Sequence, residues 1–578
     1  MTGPDERTFD RRLAWLLAGT LAAAAYALLV ASTGGFDGHL GGIRVRSRDW
    51  SRPAAAAAIG TAWLVYATRR PLAARSARAW YRADTIAGSR VLAAAATAWT
   101  LAAALIFGTF AVGGADSYGY AGQARLLRHG RVTDTIPLKP GFRWPDARAS
   151  LIPLGFTGGR EPAVIAPIYP PGFPLLMAAF AFISERAIYL VVPLFGVVAV
   201  WGTYRLGVDL GQPLAGGIAA LALSVSPTFL YQLVQPMGDI PAAACWLGAL
   251  LAASGRTRGS SAGAGLLAAL AIAIRPNLAP LAGLIVLPVI NGPAVARRHR
   301  LAAFALGLAP GVIALGWIQQ VRYGSALASG YGRIEDGFAA GNILPNLARY
   351  PKWLTETHTP FIWLSVLAPV WILASRRHAR SLLAWTSVAL VLAVWAAYLP
   401  YVYFQPEEWF YTRFLLPAIA IMLLFAAVIT LSGLRRFPAP VRVPVAVTLF
   451  ATVLVVCVLS ARSRQVFELQ DHERKYRDAG AFASEHLQAN GFILAGQHSG
   501  SVRYYANRPT LRWDVLGAAH LDEAIADLRS EGYQPFAILD PEEDREFRAK
   551  FGGAGQREID RLTPLAVLGT VRVYSFGR

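Results

Sequence analysis

Apolar runs recur along this chain at lengths a soluble core does not need. Leu13–Thr33, Val91–Val112, Ile188–Arg205, Leu383–Tyr401, Phe414–Leu431 and Val443–Ser460 approach or exceed the ~20 residues a helix needs to cross ~30 Å of hydrocarbon. With 55% of its 578 residues hydrophobic and only 16% charged, the sequence predicts a polytopic α-helical membrane protein. A cleaved signal peptide is not expected, because the first run is long and no cleavage pattern precedes the next.

A net charge of +20 on a soluble chain would point to nucleic acid. Here the arginines sit in short clusters between apolar runs, so the membrane explains them and no nucleic-acid partner is expected. Arg69, Arg70, Arg75, Arg78, Arg82 and Arg90 form the first cluster; others fall at 256–258, 297–300, 376–380 and 435–442. The positive-inside rule makes these cytoplasmic. Cys245 and Cys457 lie in apolar runs, so no structural disulfide is expected.

With the N-terminus inside, counting crossings puts residue 113 outside and yields about thirteen spans, one of them at 214–231, every one of these clusters remaining cytoplasmic. Arg44, Arg46, Arg48 and Arg52 are the exception, falling outside. The run 172–184 is read as an interfacial helix that does not cross. Residues 1–90 then form N-terminal spans with a basic cytoplasmic loop, and 91–461 a transmembrane core with large outer loops at 113–187 and 319–360. The tail, 462–578, is extracytoplasmic. The expected location is the plasma membrane.

The tail changes character, with more charge and shorter apolar runs. Helix-like stretches at 472–488, 519–530 and 541–550 alternate with strand-like runs Phe492–Ala495, Phe536–Leu539, Leu565–Leu568 and Val571–Phe576. This pattern predicts a small soluble α/β domain. Its nearest approach to a site is His498, Tyr504 and Tyr505, for which packing or acceptor docking is the plainer role.

The stretch Gly113–Arg131, GGADSYGYAGQARLLRHGR, places a lone carboxylate at the outer mouth of an apolar run. Ser117–Gly130 reads as an interfacial helix with Asp116 at its N-cap, a role worth on the order of 1 kcal/mol without any chemistry. Three other features fall on the same side: Tyr-Pro-Pro-Gly-Phe-Pro at 169–174, Asp239 after Gln235-Pro236-Met237-Gly238, and Arg413 within Tyr411-Thr412-Arg413-Phe414-Leu415-Leu416-Pro417.

In this order, these motifs resemble the C-type superfamily of membrane glycosyltransferases, which includes protein O-mannosyltransferases, lipid A aminoarabinose transferases and bacterial lipopolysaccharide and cell-wall enzymes. The resemblance covers roughly residues 91–460. It implies transfer of a hexosyl or pentosyl group from a polyprenyl-phosphate sugar to a hydroxyl on a glycan, lipid or protein acceptor, at the outer membrane face and with inversion. By correspondence with the family's first-loop Asp, Asp116 is the general base, and a half-dry membrane mouth could raise its pKa toward that task. Candidate cations for the donor phosphate are Arg275, Arg413, Arg125 and Arg128. Asp239, Tyr118, Tyr120, Tyr169, Pro171, Trp409 and Tyr411 are candidate substrate contacts, although capping, snorkelling and interfacial aromatics account for such residues equally. Where the aminoarabinose branch carries an Arg before the first-loop tyrosine, this chain has Gly119.

A transporter would bury ionisable residues at mid-membrane and show paired repeats. These spans are nearly free of charge and show no repeat. A non-catalytic scaffold presenting the tail would leave the spacing of Asp116, Pro171 and Arg413 unexplained. No metal-ligand motif occurs; a divalent cation would have Asp116 and Asp239 alone.

Overall fold

The computed structural model describes residues 80–577 except 292, 375–377 and 404–407; before residue 80 it describes 36–40, 43–47, 51–67 and residues 15, 16, 18–24, 26, 27 and 30. Part of the Leu13–Thr33 run and most of the first arginine cluster therefore lie outside the described residues. Among those described, five helices are long and apolar enough to cross a membrane: Ile86–Phe107 (α1), Glu185–Asp209, Ala294–Tyr323, Trp409–Leu434 and Val441–Ser463. Two bent pairs raise the number to seven, and four apolar helices of 10–17 residues accompany them.

The difference from about thirteen straight spans comes partly from breaks, and otherwise from apolar helices shorter than a full crossing and from runs partly outside the described residues. The run expected at 214–231 divides into Pro213–Ser224 and Pro227–Leu233, bent by 61° where Pro227 cannot donate to the helical ladder. The expected outer loop 319–360 is largely helical. Ala294–Tyr323 runs into it, Ile343–His358 follows, and the chain turns by 117° into Pro360–Ala374. Gly172–Ala181, of ten residues, spans only ~15 Å at 1.5 Å per residue, too short to cross. The pair Arg258–Ile274 and Ala294–Tyr323 packs closely because Gly265 and Gly307 face carbonyls of the opposite helix, Phe304 and Ala262, that any Cβ would overlap. Arg300, expected among cytoplasmic surface charges, is instead buried and donates to the carbonyls of Ala253, Gly255 and Asn291 at adjacent helix ends.

The tail holds a five-stranded mixed sheet. Gly491–Leu494 runs parallel to Thr510–Leu511 on one side and to Gln534–Leu539 on the other; Val571–Phe576 and Leu562–Leu568 continue antiparallel. The helices Leu469–His486, Leu521–Ser530 and Pro541–Gly552 cover it. The expected elements are present within a few residues; the short helix Ser499–Ala506 (α2) was not anticipated and packs against the helix Gly114–Arg128. The loop 113–187 binds the tail along its length. Arg143 pairs with Asp527 at 2.6 Å and Arg503 with Asp134 at 3.0 Å, while the Arg512 N–H donates to the Ser150 carbonyl at 2.6 Å. A three-stranded sheet within this loop, Asp134–Thr135, Val164–Pro167 and Phe156–Gly158, gives it a rigid frame.

Candidate active site

The chain leaves α1 through Gly113 and Gly114, and Gly114 adopts φ +56°, a left-handed turn that glycine takes without a Cβ penalty. The helix that follows, Gly114–Arg128, has Gly113 at its N-cap and Asp116 inside the first turn. Asp116 is therefore not the cap expected from sequence, although an acid in the first turn still complements the helix dipole. Nor is this an interfacial helix. Ser117 through Ala124 are buried, because it is wedged between Gly172–Ala181 and α2. Gly119 lies under the Tyr169 ring, which leaves no room for a side chain there and accounts for the absence of an arginine at this position.

Asp116 reaches two partners. The Tyr169 hydroxyl donates to Oδ1 at 2.5 Å, and Arg413 Nη1 donates to Oδ2 at 3.1 Å across 297 residues of sequence. A second ion pair stands beside the first, with Arg275 Nη2 2.5 Å from Asp239 Oδ1. Both guanidinium carbons lie 5.0 Å from the Phe414 ring centroid, so one aromatic ring is shared by the two cations. Asp239 opens its helix at Gly238 without capping it; its side chain is 2% exposed, and Oδ2 is left without a hydrogen-bond partner.

Burial alone pushes the Asp116 carboxyl up. The charge of Arg413, the hydrogen bonds from Tyr169 and Arg413, and the more distant Arg275 outweigh it and hold the group below the usual carboxylate range. The raised value expected at a half-dry mouth is thus reversed by the arginines. Burial and the neighbouring Asp116 charge push the Tyr169 hydroxyl well up, so it remains a proton donor.

The Tyr-Pro-Pro-Gly segment has a positional role. Pro171 is the N-cap of Gly172–Ala181, and Gly172 abuts the backbone of Ala273 and Ile274, where a Cβ could not fit. That contact brings Tyr169 beside the end of Arg258–Ile274, which Arg275 terminates ahead of Pro276. Tyr120 packs on Tyr169 and Phe173, with ring centroids 4.6 and 5.0 Å away. Tyr411 packs on Tyr403 at 4.5 Å, and Trp409 on Tyr231 at 5.3 Å.

Three expected residues lie elsewhere. Arg125 stacks over Tyr504 at 3.9 Å and donates to its carbonyl; Arg128 faces Glu185 at 3.4 Å. Tyr118 packs against Phe156 and the open face of Gly500. All three project from the faces of their helix that meet the tail and the neighbouring loop, away from Asp116. Two residues were missed. Tyr331, whose ring meets Tyr169 at 5.9 Å, sits in a Gly-Tyr-Gly turn whose glycines were the available signal. Phe414 was read only as part of a motif. The donor set does not suit a divalent cation: Asp116 and Asp239 each face an arginine, and the described residues contain no group of three His, Cys, Asp or Glu placed to hold one.

Residues 169–317, a stretch holding Tyr169, Asp239 and Arg275, match the family described as dolichyl-phosphate-mannose-protein mannosyltransferase. No curated protein matches the sequence. Among solved structures, ArnT from Cupriavidus metallidurans superposes in its apo state with a TM-score of 0.53 at 13% identity, over 84% of this chain and 97% of that one. The chain has the C-type glycosyltransferase fold. The same ArnT bound to undecaprenyl phosphate gives a TM-score of 0.51 at 12% identity with the same coverage. The archaeal oligosaccharyltransferase AglB from Archaeoglobus fulgidus, in complex with an inhibitory peptide and a dolichol-phosphate, gives 0.48 at 12% identity over 85% of this chain and 74% of that one. On the C-type fold, the two Asp–Arg pairs stand where the loop 113–187 meets the ends of Arg258–Ile274 and the Trp409–Leu434 span.

Proposed function

We propose that this protein transfers a sugar from a polyprenyl-phosphate carrier to an acceptor hydroxyl at the extracytoplasmic membrane face, with Asp116 as general base. The observation that carries the reading is the pair of carboxylates held by two arginines around Phe414. A phosphate entering this cluster can take both guanidiniums as ligands. Doing so removes from Asp116 the charge that depresses its pKa, so donor binding makes the carboxylate more basic where a base is needed. The acceptor oxygen then bonds to the anomeric carbon as the carbon–phosphate oxygen bond breaks. The acceptor proton passes to Asp116, and polyprenyl phosphate leaves with its negative charge against Arg413 and Arg275. A single displacement inverts the anomeric centre and needs no acid on the leaving group, because phosphate is stable as an anion. Asp239 Oδ2, free of partners, is suited to accept a hydroxyl or ammonium hydrogen of the donor sugar.

Deleting the gene in its native host and profiling lipid extracts tests the activity and names the donor. A polyprenyl phosphosugar should accumulate while one glycan modification disappears; unchanged lipid and glycan profiles would overturn the proposal. Sidedness is tested separately. Both native cysteines are buried, so background labelling is low. Leu327→Cys and Ala519→Cys should react with an impermeant maleimide added outside intact cells, whereas Arg256→Cys should react only after permeabilisation. The opposite pattern would invert the topology.

A further inference from the structure

The two helix breaks converge on one buried polar network that the proposed chemistry does not use. Ser226 caps Pro227–Leu233 by accepting from the Phe229 N–H at 3.3 Å, and its Oγ lies 2.7 Å from His358 Nε2 at the 117° turn. Thr357 Oγ1 lies 2.8 Å from His358 Nδ1 and donates its own proton to the Trp353 carbonyl at 2.7 Å. With that proton committed, His358 must donate from Nδ1 and accept at Nε2 from Ser226. One neutral tautomer satisfies every member. Two residues beyond Ser226, Thr228 Oγ1 stands 2.8 Å from Thr412 Oγ1, and Thr412 donates to the Trp409 carbonyl at 2.8 Å. By the same logic Thr228 is the donor to Thr412. Ser226, Thr228, Thr357, His358 and Thr412 are all buried.

We propose that this network positions Arg413: His358 fixes Ser226 and with it the start of the short helix Pro227–Leu233, and that helix fixes the segment carrying the arginine. Thr228 and Tyr231, three residues apart, share a helix face. Thr228 holds Thr412, the residue before Arg413, and the Tyr231 ring meets Trp409 at 5.3 Å and Phe410 at 6.0 Å. The segment Trp409–Leu415 is a 3-10 turn, with poorer internal hydrogen bonding than an α-helix, so an external anchor decides where its side chains point. The functional consequence rests on Arg413 acting as a donor-phosphate ligand.

Thr228→Val removes the donor while keeping the side-chain shape, and Thr228→Ser restores it. Cryo-EM of the full-length protein in nanodiscs reads the Arg413–Asp116 pair, 3.1 Å apart in the parent. Binding of undecaprenyl phosphate gives the functional measure. Thr228→Val should break the pair and weaken undecaprenyl phosphate binding roughly tenfold, the size of one lost buried hydrogen bond, whereas Thr228→Ser should keep both. A Thr228→Val structure with the pair intact, or a Thr228→Ser variant that loses it equally, would overturn the positioning role. Should the parent fail to bind undecaprenyl phosphate, the phosphate assignment of Arg413 falls, and the structural comparison still decides the inference.

Discussion

Exchanging Asp116 for asparagine should lower sugar transfer by roughly 10²–10⁴-fold, the usual contribution of a positioned general base, while leaving membrane insertion intact. The substitution keeps the side chain's volume and its acceptor oxygen for the Tyr169 hydroxyl, so the loss would report the missing base. The pH dependence separates this from a structural effect. In the free protein Arg413 holds the carboxyl below its ordinary range, so Asp116 stays ionised at any pH above that depressed value, and the acid limb of kcat/KM should lie below the ordinary carboxylate range. Once donor phosphate neutralises the arginines, the carboxyl rises and the acid limb of kcat should move to higher pH. The native ion pair stabilises the fold above the unfolded pKa, and that contribution is lost as pH falls through the folded one. Normal turnover by Asp116→Asn would remove the assignment.

How far the sequence could be read depended on the range of the interaction involved. The tail strands were legible because alternation and turn residues are local signals. The C-type fold was legible from the order of four motifs and their expected common side. Which faces those motifs turned to one another was not. Arg125 and Arg128 share a helix with Asp116, and nothing within that helix says that Tyr504 and Glu185 will take them. The direction of Arg125 is set by α2, which docks where Gly500 leaves space for Tyr118, and that of Arg128 by the start of the Glu185–Asp209 helix. Burial of that helix is likewise a tertiary outcome, since its glycines and alanines read as a weakly apolar surface until Tyr169 and the tail close over them.

The helix breaks were marked by Pro227 and Pro360, yet one was read as a straight span and the other as the end of a loop. Hydropathy averages over a window and cannot resolve a bend, whereas proline forbids a hydrogen bond at one residue. The pKa of Asp116 failed for a related reason. Burial was foreseen, but the Arg413 charge arrives from 297 residues away and reverses the sign.

Arg413→Ala should reduce transfer by roughly 10²–10³-fold, the range for removing one preorganised stabiliser of a developing anion, with a raised KM for the lipid donor. Lysine should restore only part of this, because an ammonium cannot hold phosphate oxygens with a planar fork or share the Phe414 face as a guanidinium does. The same variant should raise the Asp116 pKa in the free protein, moving the acid limb of kcat/KM upward, a shift that a packing defect would not produce. Arg275 offers a poorer test of the chemistry despite its symmetrical position. Its partner Asp239 is 2% exposed, so Arg275→Ala strands a buried carboxylate, a change that typically costs about 3–5 kcal/mol and reports on folding first. Asp116, at 29% exposure, can reach water when Arg413 is removed, which leaves the fold standing and the kinetics readable. An Arg413→Ala protein with unaltered donor KM and unaltered pH profile would show that the cation facing Asp116 takes no part in holding the phosphate.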